Sequence, residues 1–223
     1  MKIIKSVLAV AFLSLFITSC LNFTQTTTLK TDGSGSMFIH YWTKWKTAKD
    51  SLVLENLGIF NKEEIAKEFT SKYNKIKDVE IYWDYSDTTA HAKIEFEFAN
   101  IDSLNNMKVF KESKFSFKTG ATENTKIFSQ FIPPFATGFG IDRKKYSITY
   151  IYYIPGDVLE HNANELSNNK LTWKFSLDDI GTGKFINVTF RPFKLKETPV
   201  CIFALAFSVL SVVFVFLFKK KKK

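Results

Sequence analysis

Three kinds of side chain in this sequence could do chemistry: a cysteine closing an apolar stretch, three histidines, and acidic residues and a lysine set among glycines. Cys20 follows Ile17-Thr18-Ser19, and a thiol behind one aliphatic and two small residues is placed for lipid attachment. The other cysteine, Cys201, lies in an apolar run, so the folded part holds no cysteine and cannot rest on a disulfide. His40, His91 and His161 each stand alone, with no cysteine or second histidine at zinc-site spacing. They are expected as exposed or hydrogen-bonded structural residues, and no metal or cofactor is expected. Asp178-Asp179-Ile180-Gly181-Thr182-Gly183-Lys184 has the look of a nucleotide loop. It lacks the four-residue gap before Gly-Lys, and strand residues follow it, so a turn is the better reading. Asp157 and Glu160 could form a carboxylate pair, but a glycosidase needs two carboxyls about 5 to 9.5 Å apart across a cleft, which spacing alone does not set. There is no Gly-x-Ser-x-Gly elbow, zinc helix or lipase-type motif. No catalytic residue is assigned, and the protein is expected not to be an enzyme.

One segment stands apart. Residues 127–141 carry no charge and include Phe128, Phe131, Phe135 and Phe139, with Pro133-Pro134 and two glycines among them. The prolines forbid a continuous helix and the glycines loosen the backbone, so much of it reads as an apolar loop. If exposed, its four phenylalanines would contact a lipid, a membrane or a partner. If folded under a sheet, they are core. Both readings stay open, because 24 phenylalanines make a phenylalanine-rich core the ordinary outcome.

These residues are held by a chain whose two ends read as targeting segments. Residues 1–19 have Lys2 and Lys5, then an apolar stretch too short to span a bilayer, as in a secretory signal peptide. The tetrapeptide ending in Cys20 resembles the bacterial lipobox; the alternative is an ordinary signal peptide cut nearby. Residues 200–218 form a 19-residue run without charge, enough as a helix for roughly 28 Å. The five lysines of residues 219–223 would hold that end in the cytoplasm and leave the body outside. The expected organisation is therefore a signal peptide at 1–19, an extracytoplasmic domain at 20–199, a transmembrane helix at 200–218 and a basic tail at 219–223. A buried core helix is the alternative for the apolar run. The net charge of +9 falls mostly at the ends: without the seven terminal lysines, 24 basic residues face 22 acidic ones. Nucleic acid is set aside as a partner, since it needs a basic face on the domain itself.

Within the body, strand patterns dominate. Threonine-rich residues 23–31 lead through Asp32-Gly33-Ser34-Gly35 into Met37, Phe38, Ile39 and Tyr41, a hairpin rather than a calcium or phosphate loop. Asn61 caps an amphipathic helix expected over 62–74, with Ile65, Phe69 and Tyr73 on one face. Val79, Ile81, Trp83 and Tyr85 alternate, then Ala92, Ile94, Phe96 and Phe98, as a second hairpin. A helical turn is expected at 100–107, strands near Phe115 and Ile127, and a strand covered on both faces at 146–154. Further strands follow at 158–161, 171–177 and 185–190. The fold class expected is α+β: one mostly antiparallel sheet of seven to nine strands with one or two packed helices, plus the C-terminal transmembrane helix. Asn22-Phe23-Thr24 and Asn187-Val188-Thr189 match the glycosylation sequon by chance.

Ile154-Pro155-Gly156-Asp157-Val158, then Asn162 and Leu171-Thr172-Trp173-Lys174-Phe175, resembles the Pro-Gly turn and strand tryptophan of LppM-like bacterial envelope lipoproteins, a family of unknown function. Cys20, the Gly33-containing hairpin, the apolar run and the lysine tail match that family's layout. The resemblance implies an envelope location and some lipid or glycolipid association, and it brings no catalytic residues. The expected function is non-catalytic: a membrane-anchored lipoprotein binding a lipid, a glycolipid or an envelope protein at the outer face of the cytoplasmic membrane. A structural subunit of an envelope complex is the alternative, and an enzyme acting on envelope lipids comes third.

Overall fold

The computed structural model describes residues 21–56, 58–134 and 146–193, with residues 207, 209 and 210. It falls into two units, residues 1–192 and residues 193–223. In the first, threonine-rich β1 (Leu21–Leu29) turns back into β2 (Gly35–Lys44). Asp32 makes that turn by accepting from the Ser34 amide (2.9 Å) and hydroxyl (2.7 Å), while Gly33 takes φ +85°. At Gly35 a Cβ would lie 2.1 Å from the Thr28 carbonyl oxygen, so only glycine lets the strands close there.

Helix α1 (Ala48–Asn56) and helix α2 (Lys62–Phe69) follow. Asn61 caps α2 by accepting from the Glu64 amide, as its spacing predicts. The helix is shorter than the expected 62–74: the Thr70 hydroxyl donates to the Ala66 carbonyl, and the chain becomes extended. The hairpin β3 (Asn74–Asp84) and β4 (Thr89–Phe98) comes next, then two 3-10 turns, Ile101–Asn106 and Lys108–Phe110. The remaining strands are β5 (Ser116–Thr119), β6 (Lys126–Ile132), β7 (Ser147–Tyr153), β8 (Gly156–His161), β9 (Glu165–Ser167), β10 (Lys170–Phe175) and β11 (Lys184–Pro192). A single-turn helix, α3 (Leu177–Ile180), is held by a capping box between Ser176 and Asp179.

The expected α+β class is corrected here: the fold is mostly β and has two sheets. A seven-stranded sheet has the order β3-β4-β2-β1-β7-β10-β9, and a four-stranded sheet the order β5-β6-β11-β8. Among the described strands, only β1 and β7 pair parallel. The reason lies in the area to be covered. Helix α2 buries Ile65 and Phe69, and Phe69 packs on Phe96 and Phe110 at one end of the large sheet. At the other end Tyr150, Tyr152, Leu171 and Trp173 also point inward, and two helical turns cannot reach them. The small sheet supplies that second layer with Phe128, Ile132, Ile186, Val188 and Phe190. Phe128 meets Tyr152 at 4.7 Å between ring centroids. Strand β7 is also corrected: it buries only one face, since Ser147 and Tyr153 are exposed on the other.

A polar chain crosses the seam. Gln25 Nε2 donates to Tyr152 Oη (2.9 Å), which donates to Gln130 Oε1 (2.6 Å), all three side chains being buried. Burial pushes the Tyr152 phenol up, so it stays neutral and keeps its proton for Gln130. The Pro-Gly turn has a steric basis too, because a Cβ on Gly156 would lie 2.1 Å from the Arg191 carbonyl oxygen. Asn162 ties the tryptophan down: its Oδ1 accepts from Trp173 Nε1 and from the Asn187 amide, both at 2.9 Å.

The expected C-terminal transmembrane helix is not found: no helix among the described residues is long and apolar enough to cross a membrane. The run at 200–218 lies outside the described residues except for Phe207, Val209 and Leu210, which are helical and exposed.

Candidate functional site

Strand parity sorts two of the four predicted contact phenylalanines, Phe128 and Phe131. In β6, Phe128, Gln130 and Ile132 face the core while Ile127, Ser129 and Phe131 face outward. Phe128 is fully buried. Phe131 is half-buried on the outer surface of the small sheet. Phe135, Phe139 and Cys20 lie outside the described residues. The Phe131 ring rests where Gly183, at φ +123°, leaves room; a Cβ there would lie 2.3 Å from it. It tilts against Phe185 at 4.9 Å, and Lys114 Nζ stands 4.9 Å from its centroid. Phe185 is 51% exposed and Ile127 40%. Two aromatic rings beside a lysine, with one ring half in water, suit a boundary between apolar and aqueous phases.

A second cluster stands on the outer face of the large sheet. Cross-strand register places Tyr82 of β3, His91 of β4 and Trp42 of β2 in one row. Their rings stack: Tyr82 on His91 at 4.4 Å and 7°, and Trp42 on His91 at 5.8 Å and 25°. His40, diagonal to His91, brings its Nε2 to 3.0 Å from His91 Nδ1. The other nitrogen, His91 Nε2, lies 2.8 Å from the Thr89 hydroxyl, which in turn donates to the Asp87 carboxylate. This chain assigns the protons. A carboxylate only accepts, so the Thr89 hydroxyl spends its proton on Asp87 and accepts from His91 Nε2–H. His91 Nδ1 is then a bare lone pair, and His40 Nε2–H donates to it. Burial holds His40 below the usual imidazole range; protonation of His91 and the Lys93 charge would push it the same way, and Glu80 opposes them. Burial and Lys93 lower His91 likewise, against Asp87 and Asp84. Both rings are therefore neutral at pH 7.

A third feature is an open recess of about 530 Å³ at the end of the β1–β2 hairpin, lined by Lys30, Lys72, Lys75, Ser34, Ser36 and Tyr73 among others. Glu97 on its wall pairs with Lys77 at 3.0 Å.

The solution NMR structure of the folded domain of LppM from Mycobacterium tuberculosis is similar to this chain: TM-score 0.47 and 15% identity, over 78% of this chain and 91% of that one. No family model matches the chain, and no curated protein matches it.

Sequence reasoning names Phe131 as a contact candidate and does not name Phe185 or the histidine pair. Phe185 could be found from the alternation of Phe185, Asn187 and Thr189 against Ile186, Val188 and Phe190. The histidines, expected to be isolated, meet because β2 and β4 are neighbours, and no local signal announces that pairing.

Proposed function

We propose that this protein is a non-catalytic, membrane-anchored envelope lipoprotein whose domain binds lipid at the outer face of the cytoplasmic membrane through the Phe131–Phe185 cluster. The observation that carries this reading is the half-exposed ring pair with Lys114 beside it. Apolar rings gain by leaving water, and a lysine stem can lie along them while its ammonium stays at the headgroup level. Support for attachment comes from the sequence: the lipobox-like residues before Cys20 and the uncharged run at 200–218. The core residues among those described run from Leu29 to Phe190.

The test uses residues 21–193, without either anchor, in flotation with liposomes containing anionic lipid. Each ring removed from water contributes on the order of 1.5 kcal/mol, so the Phe131→Ser/Phe185→Ser double variant should bind at least about tenfold more weakly with its melt little changed. Equal flotation of the two proteins would overturn the assignment to these rings. Absence of flotation by the wild-type domain would overturn the lipid reading and leave an envelope protein as the partner.

A further inference from the structure

The imidazole pair on the large sheet does more than stack. We propose that His40 and His91 form a two-nitrogen chelating site for a divalent first-row transition metal ion, copper(II) foremost, bound through His40 Nε2 and His91 Nδ1.

The spacing fits. With metal–nitrogen bonds of about 2.0 to 2.1 Å, two nitrogens 3.0 Å apart subtend roughly 95° at the metal, the angle of neighbouring positions in a tetragonal site. Opening the pair by about 0.3 Å gives the tetrahedral angle of a zinc site. The nitrogens point at one another, the ring centroids being 5.3 Å apart, and the ion sits off that line, so each donor must swing by roughly 40° to meet it. The proton now on His40 Nε2 moves to His40 Nδ1 by exchange with water. No imidazole loses its net proton, and no oxidant or reductant is involved.

The surroundings fit as well. Metal-binding histidines commonly donate their second N–H to a carboxylate or through a hydroxyl to one, which holds the ring and raises its basicity. His91 already does this through Thr89 to Asp87. Its ring is stacked between Tyr82 and Trp42, which fixes its place on the sheet. Lys93, the nearby cation, is drawn aside to Glu80 at 3.1 Å. Among the described residues no group of three or more His, Cys, Asp or Glu could hold a metal. The remaining positions therefore fall to water, and a site with only two protein nitrogens orders its metals by intrinsic affinity, with copper(II) at the top.

The test is a titration of the full-length protein in detergent with copper(II), and separately with zinc(II), in a non-coordinating buffer. Electron paramagnetic resonance should show two equatorial nitrogens on the first equivalent of copper. His40→Gln and His91→Gln should each lose one nitrogen and weaken binding at least about tenfold, while Thr89→Val keeps both nitrogens and weakens binding about 10- to 100-fold. His161→Gln, on the exposed β8, should change nothing. A measurement on the wild type guards against variants that misfold: bound metal should protect His40 and His91, but not His161, from diethylpyrocarbonate, read by peptide mass spectrometry. Undiminished binding by the His40→Gln/His91→Gln variant, or equal modification of all three histidines with and without metal, would overturn the site.

Discussion

On the outer face of the large sheet, the prominent rings lean on other groups: Tyr82 lies between His91 and Lys93, and His91 between Tyr82 and Trp42. On the outer face of the small sheet, Phe131 and Phe185 lean on each other, and Phe185 still leaves half its surface in water. The difference follows from what stands opposite. In the first row the cross-strand neighbours are aromatic or cationic and satisfy one another's faces. In the second, Ser129 and Asn187 are the next residues along the two strands on that face and cannot cover the rings. Polar atoms on the large sheet thus face one another, whereas the small sheet leaves apolar area in water.

The comparison is most exposed at Phe128 and Phe131, three residues apart on opposite faces of one strand. Phe128→Ala should cost about 3 to 5 kcal/mol, because the ring is buried against Tyr152 and leaves a cavity between the sheets. Phe131→Ala should cost about 1 kcal/mol or less, as it removes a half-buried ring from a surface. Denaturant melts of the two variants decide it, and equal losses would make the Phe131 cluster core rather than contact. Gly183→Ala comes next. The added methyl must displace the Phe131 ring at a backbone angle that side chains rarely adopt, so a loss of about 1 to 3 kcal/mol is expected. Quenching of Phe131 contact with liposomes should accompany it, seen as weaker flotation of the folded variant. Tyr82→Ala, which removes a stacking partner from His91 and a ring from beneath Lys93, should cost about 1 kcal/mol, as little as Phe131→Ala. Its melt should move little while the copper affinity of the histidine pair falls, which separates ring orientation from fold stability.

Much of the fold was legible locally. The hairpin turn at Asp32-Gly33, the Asn61 cap, the alternation of 92–98 and the 3-10 turn after Asn100 stand where the residue types put them. Helix α2 ends five residues early because Thr70 closes it and Asn74 donates to the Phe69 carbonyl, side-chain bonds that apolar periodicity does not register. The short β9 was missed; its three exposed residues carry no pattern.

What the sequence determined by itself is what depends on neighbours in the chain: turns, caps, strand parity, and the apolar ends. Parity within β6 already implies that Phe128 and Phe131 face opposite ways. Which face is inside, and that the strands divide between two sheets, only the tertiary structure decided, because each depends on which apolar surface another element is free to cover. The same holds for the histidines. His40 and His91 are 51 residues apart, and they meet only because β2 and β4 pair antiparallel in a register that sets His91 beside Trp42 and diagonal to His40. Strand order is a long-range choice settled by packing the whole core, and no residue near either histidine encodes it.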